Sequence, residues 1–115
     1  MSAKDQLPNI IETVTATIAS SGTTSNACAL GSLRLFGIIT PAALTGTALT
    51  FLVSYDGVSF NPLYDANGSI VTVTVGVNRY IALDPTLYAA VTNLQIVSNA
   101  SEAAARSLQL VLRGV

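Results

Sequence analysis

The stretch ALTFLVSYDGVSFNPLYDANGSIVTVTV, residues 48–75, sets how the whole chain is read. Leu49, Phe51, Val53 and Tyr55 recur every second residue, the spacing of a strand with one buried face. Val71, Val73 and Val75 do the same against Thr72 and Thr74. Between these runs stand Asp56-Gly57 and Asn67-Gly68, dipeptides that supply the positive φ of tight hairpin turns at low cost. Asp56, Asp65 and Asn67 also carry hard oxygens, and D-A-N-G has the outline of the start of a calcium loop. After Gly68, however, come Ser69, Ile70 and Val71, with no further acid. A calcium ion needs roughly six to eight oxygens. The acidic residues are therefore read as turn residues, with no metal ligands assigned.

The same two-residue period extends in both directions. Residues 10–19, IIETVTATIA, set Val14, Ala16 and Ile18 against three threonines. A polar loop follows at 20–26. Residues 28–39 read as a second strand in which Gly31 shifts the phase as a bulge would, and Thr40-Pro41 stops it. Val58–Tyr64 is expected to return from the Asp56-Gly57 turn, and residues 69–75 from the next one. A short strand is expected at 78–83. Asp84-Pro85 has the form of an N-cap followed by proline at the first helical position, predicting one or two helical turns over 85–91. Strands follow at 94–98 and 106–113, the latter with Leu108, Leu110 and Leu112 on one face, and Ala103–Ala105 is a candidate helical turn between them. About eight short strands with turns at close intervals predict an all-β antiparallel sandwich, jelly-roll-like or immunoglobulin-like. One domain is assigned to residues 10–115 and an N-terminal arm to residues 1–9.

Composition narrows the function. Of 115 residues 50% are hydrophobic, yet only 10% are charged and the net charge is -1. Soluble domains ordinarily carry about 25% charged residues. A chain so poorly charged is expected to have much of its surface covered by other protein. No apolar run is long enough to cross a membrane, a secretory leader fits the opening MSAKDQLPNI badly, and too few long strands are present for a membrane barrel. With no histidine and a single cysteine, neither a serine or cysteine triad nor the usual zinc sites can be built. Cys28, in an alternating apolar segment, reads as a small buried hydrophobe. No phosphate-binding glycine loop occurs. Five scattered basic residues, outnumbered by six acids, give no footprint for nucleic acid. No catalytic residue, cofactor or metal is therefore expected.

Arginine is favoured at protein contacts, which marks Arg34 and Arg79 as candidate interface residues. Lys4 and Leu7 are candidates on the arm. Phe51 and Phe60 are assigned to the core, while Tyr64 and Tyr88 are candidates for a contact surface. A glycan-binding face would need such aromatics in a groove.

The span from LTFLVSYDGVSFNPLYDANGSIVTVTV through RYIALDPTLYAAVTNLQIVS to RSLQLVLRG, roughly residues 48–113, resembles small β-sandwich structural proteins of tailed bacteriophages and prophages. The resemblance lies in a strand ending VSYDG, a PLYDANG hairpin and an IALDP element before the strand that ends IVS. It implies a virion component assembled in the bacterial cytoplasm, of the head decoration or cement type. Its partners would be the major capsid protein, other virion proteins and copies of itself. A neck, collar or tail-fibre adaptor and a receptor- or glycan-binding module are the alternatives.

Overall fold

Leu108, Leu110 and Leu112 are all wholly buried, so the two-residue alternation of the C-terminal segment is that of a strand facing a core. The structure, a computed structural model, describes residues 10–114. The proposed arm at residues 1–9, with Lys4 and Leu7, lies outside the described residues.

Among the described residues nine strands run β1 (Ile11–Ile18), β2 (Cys28–Ala29), β3 (Arg34–Ile39), β4 (Ala48–Ser54), β5 (Asn61–Pro62), β6 (Val73–Thr74), β7 (Tyr80–Ala82), β8 (Asn93–Ser98) and β9 (Arg106–Arg113). A 3-10 helix occupies Pro85–Tyr88. One sheet has the order β1-β9-β3-β7 and the other β2-β8-β4-β5, with β6 on the same edge of β4 as β5. The pairing is nested: first strand with last, β2 with β8, β3 with β7, and β4 with β5 and β6, all antiparallel. A long hairpin folded over on itself closes by two further seams, β3 with β9 and β4 with β8. That is the jelly-roll order, in which successive strands alternate between layers except at the tip, here β4 to β6, which stay in one sheet. The immunoglobulin alternative would place the first strand beside the second, and here it lies beside the last.

The core sits between the sheets. Ala16, Ile18, Leu108, Leu110, Leu112, Leu35 and Ile38 project from one layer, and Cys28, Leu94, Ile96, Leu49 and Phe51 from the other. Cross-strand rows such as Phe51 opposite Ile96 place branched and aromatic groups side by side.

Four local expectations are corrected. Residues 28–39 are two strands in different sheets, because Gly31 takes φ +63 and turns the chain between layers. The bulge lies five residues later, where Phe36 is the extra residue between Leu35 and Gly37. The return over Val58–Tyr64 shortens to Asn61–Pro62, an edge position compatible with a proline that has no N–H. Tyr55 falls beyond the end of β4 and is 77% exposed, off the buried face. Ala103–Ala105 form a bend with no helical turn, since neighbouring Glu102 is drawn inward. Asp84, by contrast, caps the 3-10 helix as expected, its carboxylate accepting from the Thr86 amide at 3.1 Å and the Thr86 hydroxyl at 2.7 Å. Those two bonds hold its carboxyl below the usual range, hydroxyl first.

Gly46 shows how tightly the β3–β4 connection is packed. A Cβ there would collide with Ser98 Oγ and lie 3.3 Å from Asn99 Oδ1. Gly46→Ala is expected to destabilise the protein by about 2 kcal/mol through overpacking, read as a lower melting temperature by circular dichroism.

Candidate interaction surfaces

The aspartates of the 51–70 stretch are engaged in their own turns, each through Oδ1. Asp56 Oδ1 accepts from the amides of Val58 at 2.9 Å and Ser59 at 3.1 Å, and from Ser54 Oγ at 2.9 Å. These bonds, led by that from Val58, hold its carboxyl below the usual range. Asp65 Oδ1 accepts from the amides of Asn67 and Ser69, and its own amide donates to the Ser69 carbonyl. Gly68 alone in this turn takes positive φ, at +84. Among the described residues no three of Cys, Asp and Glu converge as metal ligands.

Among the described residues the one buried carboxylate is elsewhere, in the polar connection before β9. The side chain of Glu102 is wholly excluded from solvent. Its two oxygens accept from the amide of Thr45 at 2.9 and 3.1 Å, the amide of Gly46 at 2.9 Å and Nε of Arg106 at 3.1 Å. Burial by itself raises this carboxyl, but the Thr45 and Gly46 amides and the Arg106 guanidinium outweigh it and hold it below the usual range. The arrangement ties the β3–β4 connection to the β8–β9 connection at one end of the sandwich. Its only trace in the sequence is an isolated acid four residues before an arginine in a charge-poor segment.

Cys28 is 1% exposed, its Sγ directed at the carbonyls of Thr15 and Asn26. Burial pushes its thiol up, so the group is a packed hydrophobe with little thiolate character.

The candidate contact residues separate. Tyr88 is 1% exposed and packs edge-on against Phe51, with centroids 5.5 Å apart and an angle of 81°. It is a core residue, and its assignment to a contact surface is corrected: the 3-10 helix turns its ring inward. Phe60, assigned to the core, is half-buried. Tyr64 is 56% exposed in the connection between β5 and β6, bridged to Ile70. Arg79 is exposed and lies over Gly76, where a Cβ would meet its guanidinium at 2.6 Å. Arg34 is half-buried on β3, directly opposite Arg113 on β9.

Arg34 borders a surface that the sequence did not single out. On the outer face of the first sheet, Ile11, Phe36, Tyr80, Ala82, Val111 and Arg113 line a shallow groove of about 230 Å³. Tyr80 is 65% exposed and Ile11 64%. The Tyr80 ring reaches diagonally over Gly37, whose built Cβ would meet it at 2.9 Å, so ring and glycine fit as a pair. Apolar residues scattered singly on a surface are ordinary, but a contiguous patch on a flat sheet face is the form taken by interaction sites. The patch was hidden in the sequence because its residues come from four strands far apart in the chain.

No family model matches the sequence, and no curated protein matches it significantly. Among solved structures, the crystal structure of the SPBc2 prophage-derived protein YomS is similar, at 12% identity and a TM-score of 0.48 over 90% of this chain and 94% of that one.

Proposed function

We propose that this chain is a non-enzymatic structural subunit of a phage virion, a capsid decoration or cement protein that works by contact with the shell and with its own copies. The observation that carries this reading is the apolar outer face around Ile11, Phe36 and Tyr80 on a chain with only 10% charged residues. Such a face is stabilised when a partner covers it, and a standard specific interface buries about 1,600 Å². The resemblance of residues 48–113 to small phage sandwich proteins names the partner class. Fold alone does not assign function, since sandwiches of this order serve many roles. The mechanism is mechanical: each docked copy stabilises the assembled shell by mass action, with no turnover.

The test is reconstitution. Purified protein is mixed with shells lacking it, and bound copies and the temperature of shell disruption are measured. Stoichiometric binding with a raised disruption temperature is expected, and Tyr80→Asp with Ile11→Asp should abolish both by placing charge in the covered face. A monomer that leaves the shells untouched overturns the proposal. A copy number matching one vertex or the tail would assign the chain to a neck, collar or fibre position.

A further inference from the structure

A second concavity, of about 400 Å³, opens at the end of β4 beside the 3-10 helix. Leu63, Leu87 and Val91 contribute to its apolar surface, while Tyr55, Ser59, Asn61 and Thr86 bring polar groups to it. Among the described residues, the Tyr55 hydroxyl, the Ser59 hydroxyl and the side-chain carboxamide of Asn61 make no hydrogen bond within the protein, while the Asn61 backbone pairs with Val53. Three uncommitted neutral groups thus meet one apolar surface, and none of the lining residues is charged. The volume lies within the usual range for small-molecule sites, roughly 300–1,000 Å³.

The flanks restrict the ligand further. Asp56 adjoins Tyr55 in the chain, and Asp84 is bonded to Thr86, so a carboxylate stands next to each of two lining residues. Each carboxylate is bonded within its own turn through Oδ1, and among the described residues no third acid joins them, so they form no cation cage. Their negative charge opposes phosphate, sulfate and acidic sugars, and no cation lines the groove to offset it. A purely apolar side chain would leave the polar groups without partners. A neutral pyranose presents an apolar C–H face and a rim of hydroxyls that both donate and accept, matching an exposed tyrosine with neighbouring amide and hydroxyl groups.

We propose that this groove is a binding site for a neutral saccharide, with the Tyr55 ring as stacking face and Asn61 and Ser59 as hydrogen-bonding groups. The site is separate from the outer sheet face around Tyr80 and does not rest on the virion reading.

The test is saturation-transfer NMR and calorimetry on the full chain with glucose, galactose, mannose, N-acetylglucosamine and their neutral oligomers. At least one of these is expected to bind with a Kd of roughly millimolar order. Tyr55→Ala and Asn61→Ala should each weaken it by about tenfold while the melting temperature stays unchanged, because both side chains are exposed. Absence of transfer to every sugar, or binding that both substitutions leave intact, overturns the site. Tyr55→Ala should bind shells like the parent protein, so failure of the saccharide site and failure of shell binding are read independently.

Discussion

Tyr88→Ala is expected to lower the unfolding free energy by about 4 kcal/mol, the cost typical of truncating a large buried aromatic. The residue is the largest of the fully buried side chains and meets Phe51 edge to face. Its removal therefore costs transfer energy, the aromatic contact and the cavity left between the layers. It also releases the 3-10 helix, whose buried residue is Tyr88. For a domain of this size the melting temperature should fall by roughly 15 °C or more. Tyr88→Phe keeps the ring and should stay within about 1 kcal/mol of the parent. Burial first, and the nearby Asp84 carboxylate second, push the Tyr88 phenol well above its ordinary value. Alkaline difference spectra should therefore show one tyrosine ionising only on unfolding. Scanning calorimetry decides the matter, and an alanine variant as stable as the parent would remove Tyr88 from the core.

Glu102→Ala is expected to cost about 3 kcal/mol. The substitution leaves the Thr45 and Gly46 amides without their acceptor and strips Arg106 of its counter-charge. Arg106→Ala should cost less, because the arginine side chain is 21% exposed and the amides still solvate the carboxylate. The same group sets an acid dependence. Its folded carboxyl lies below the ordinary 4.5, so its contribution is full above that value and is lost as pH falls through the folded value. Stability should decline below about pH 4.5, and Glu102→Gln should flatten that part of the curve. Asp56 and Asp84, also lowered, share the sign, but water screens both. An unchanged acid limb in Glu102→Gln would assign the decline to these exposed turns.

Much of the architecture was legible locally. Alternation at β1, β4, β8 and β9, the Asp84 cap and the turns at Gly57 and Gly68 depend on neighbours within a few residues, and the structure has them. What failed locally failed for a physical reason. Gly31 has the sequence signature of a bulge because a phase shift looks the same whether the chain continues in its sheet or crosses to the other. Tyr55 continued the period of β4 past the point where Ser54 and Asp56 bind the turn.

The sequence by itself determined an all-β sandwich, the acidic residues of 51–70 as turn formers and a chain with only 10% charged residues. These follow from side-chain period, turn chemistry and charge, which are properties of short segments. Only the tertiary structure decided the jelly-roll order over the immunoglobulin one, the buried Glu102 staple, the inward ring of Tyr88 and the patch joining Ile11 to Tyr80. Each depends on residues tens of positions apart being brought together by strand pairing. No local period carries that information, because the same alternating strand can pair with any edge that covers its apolar face.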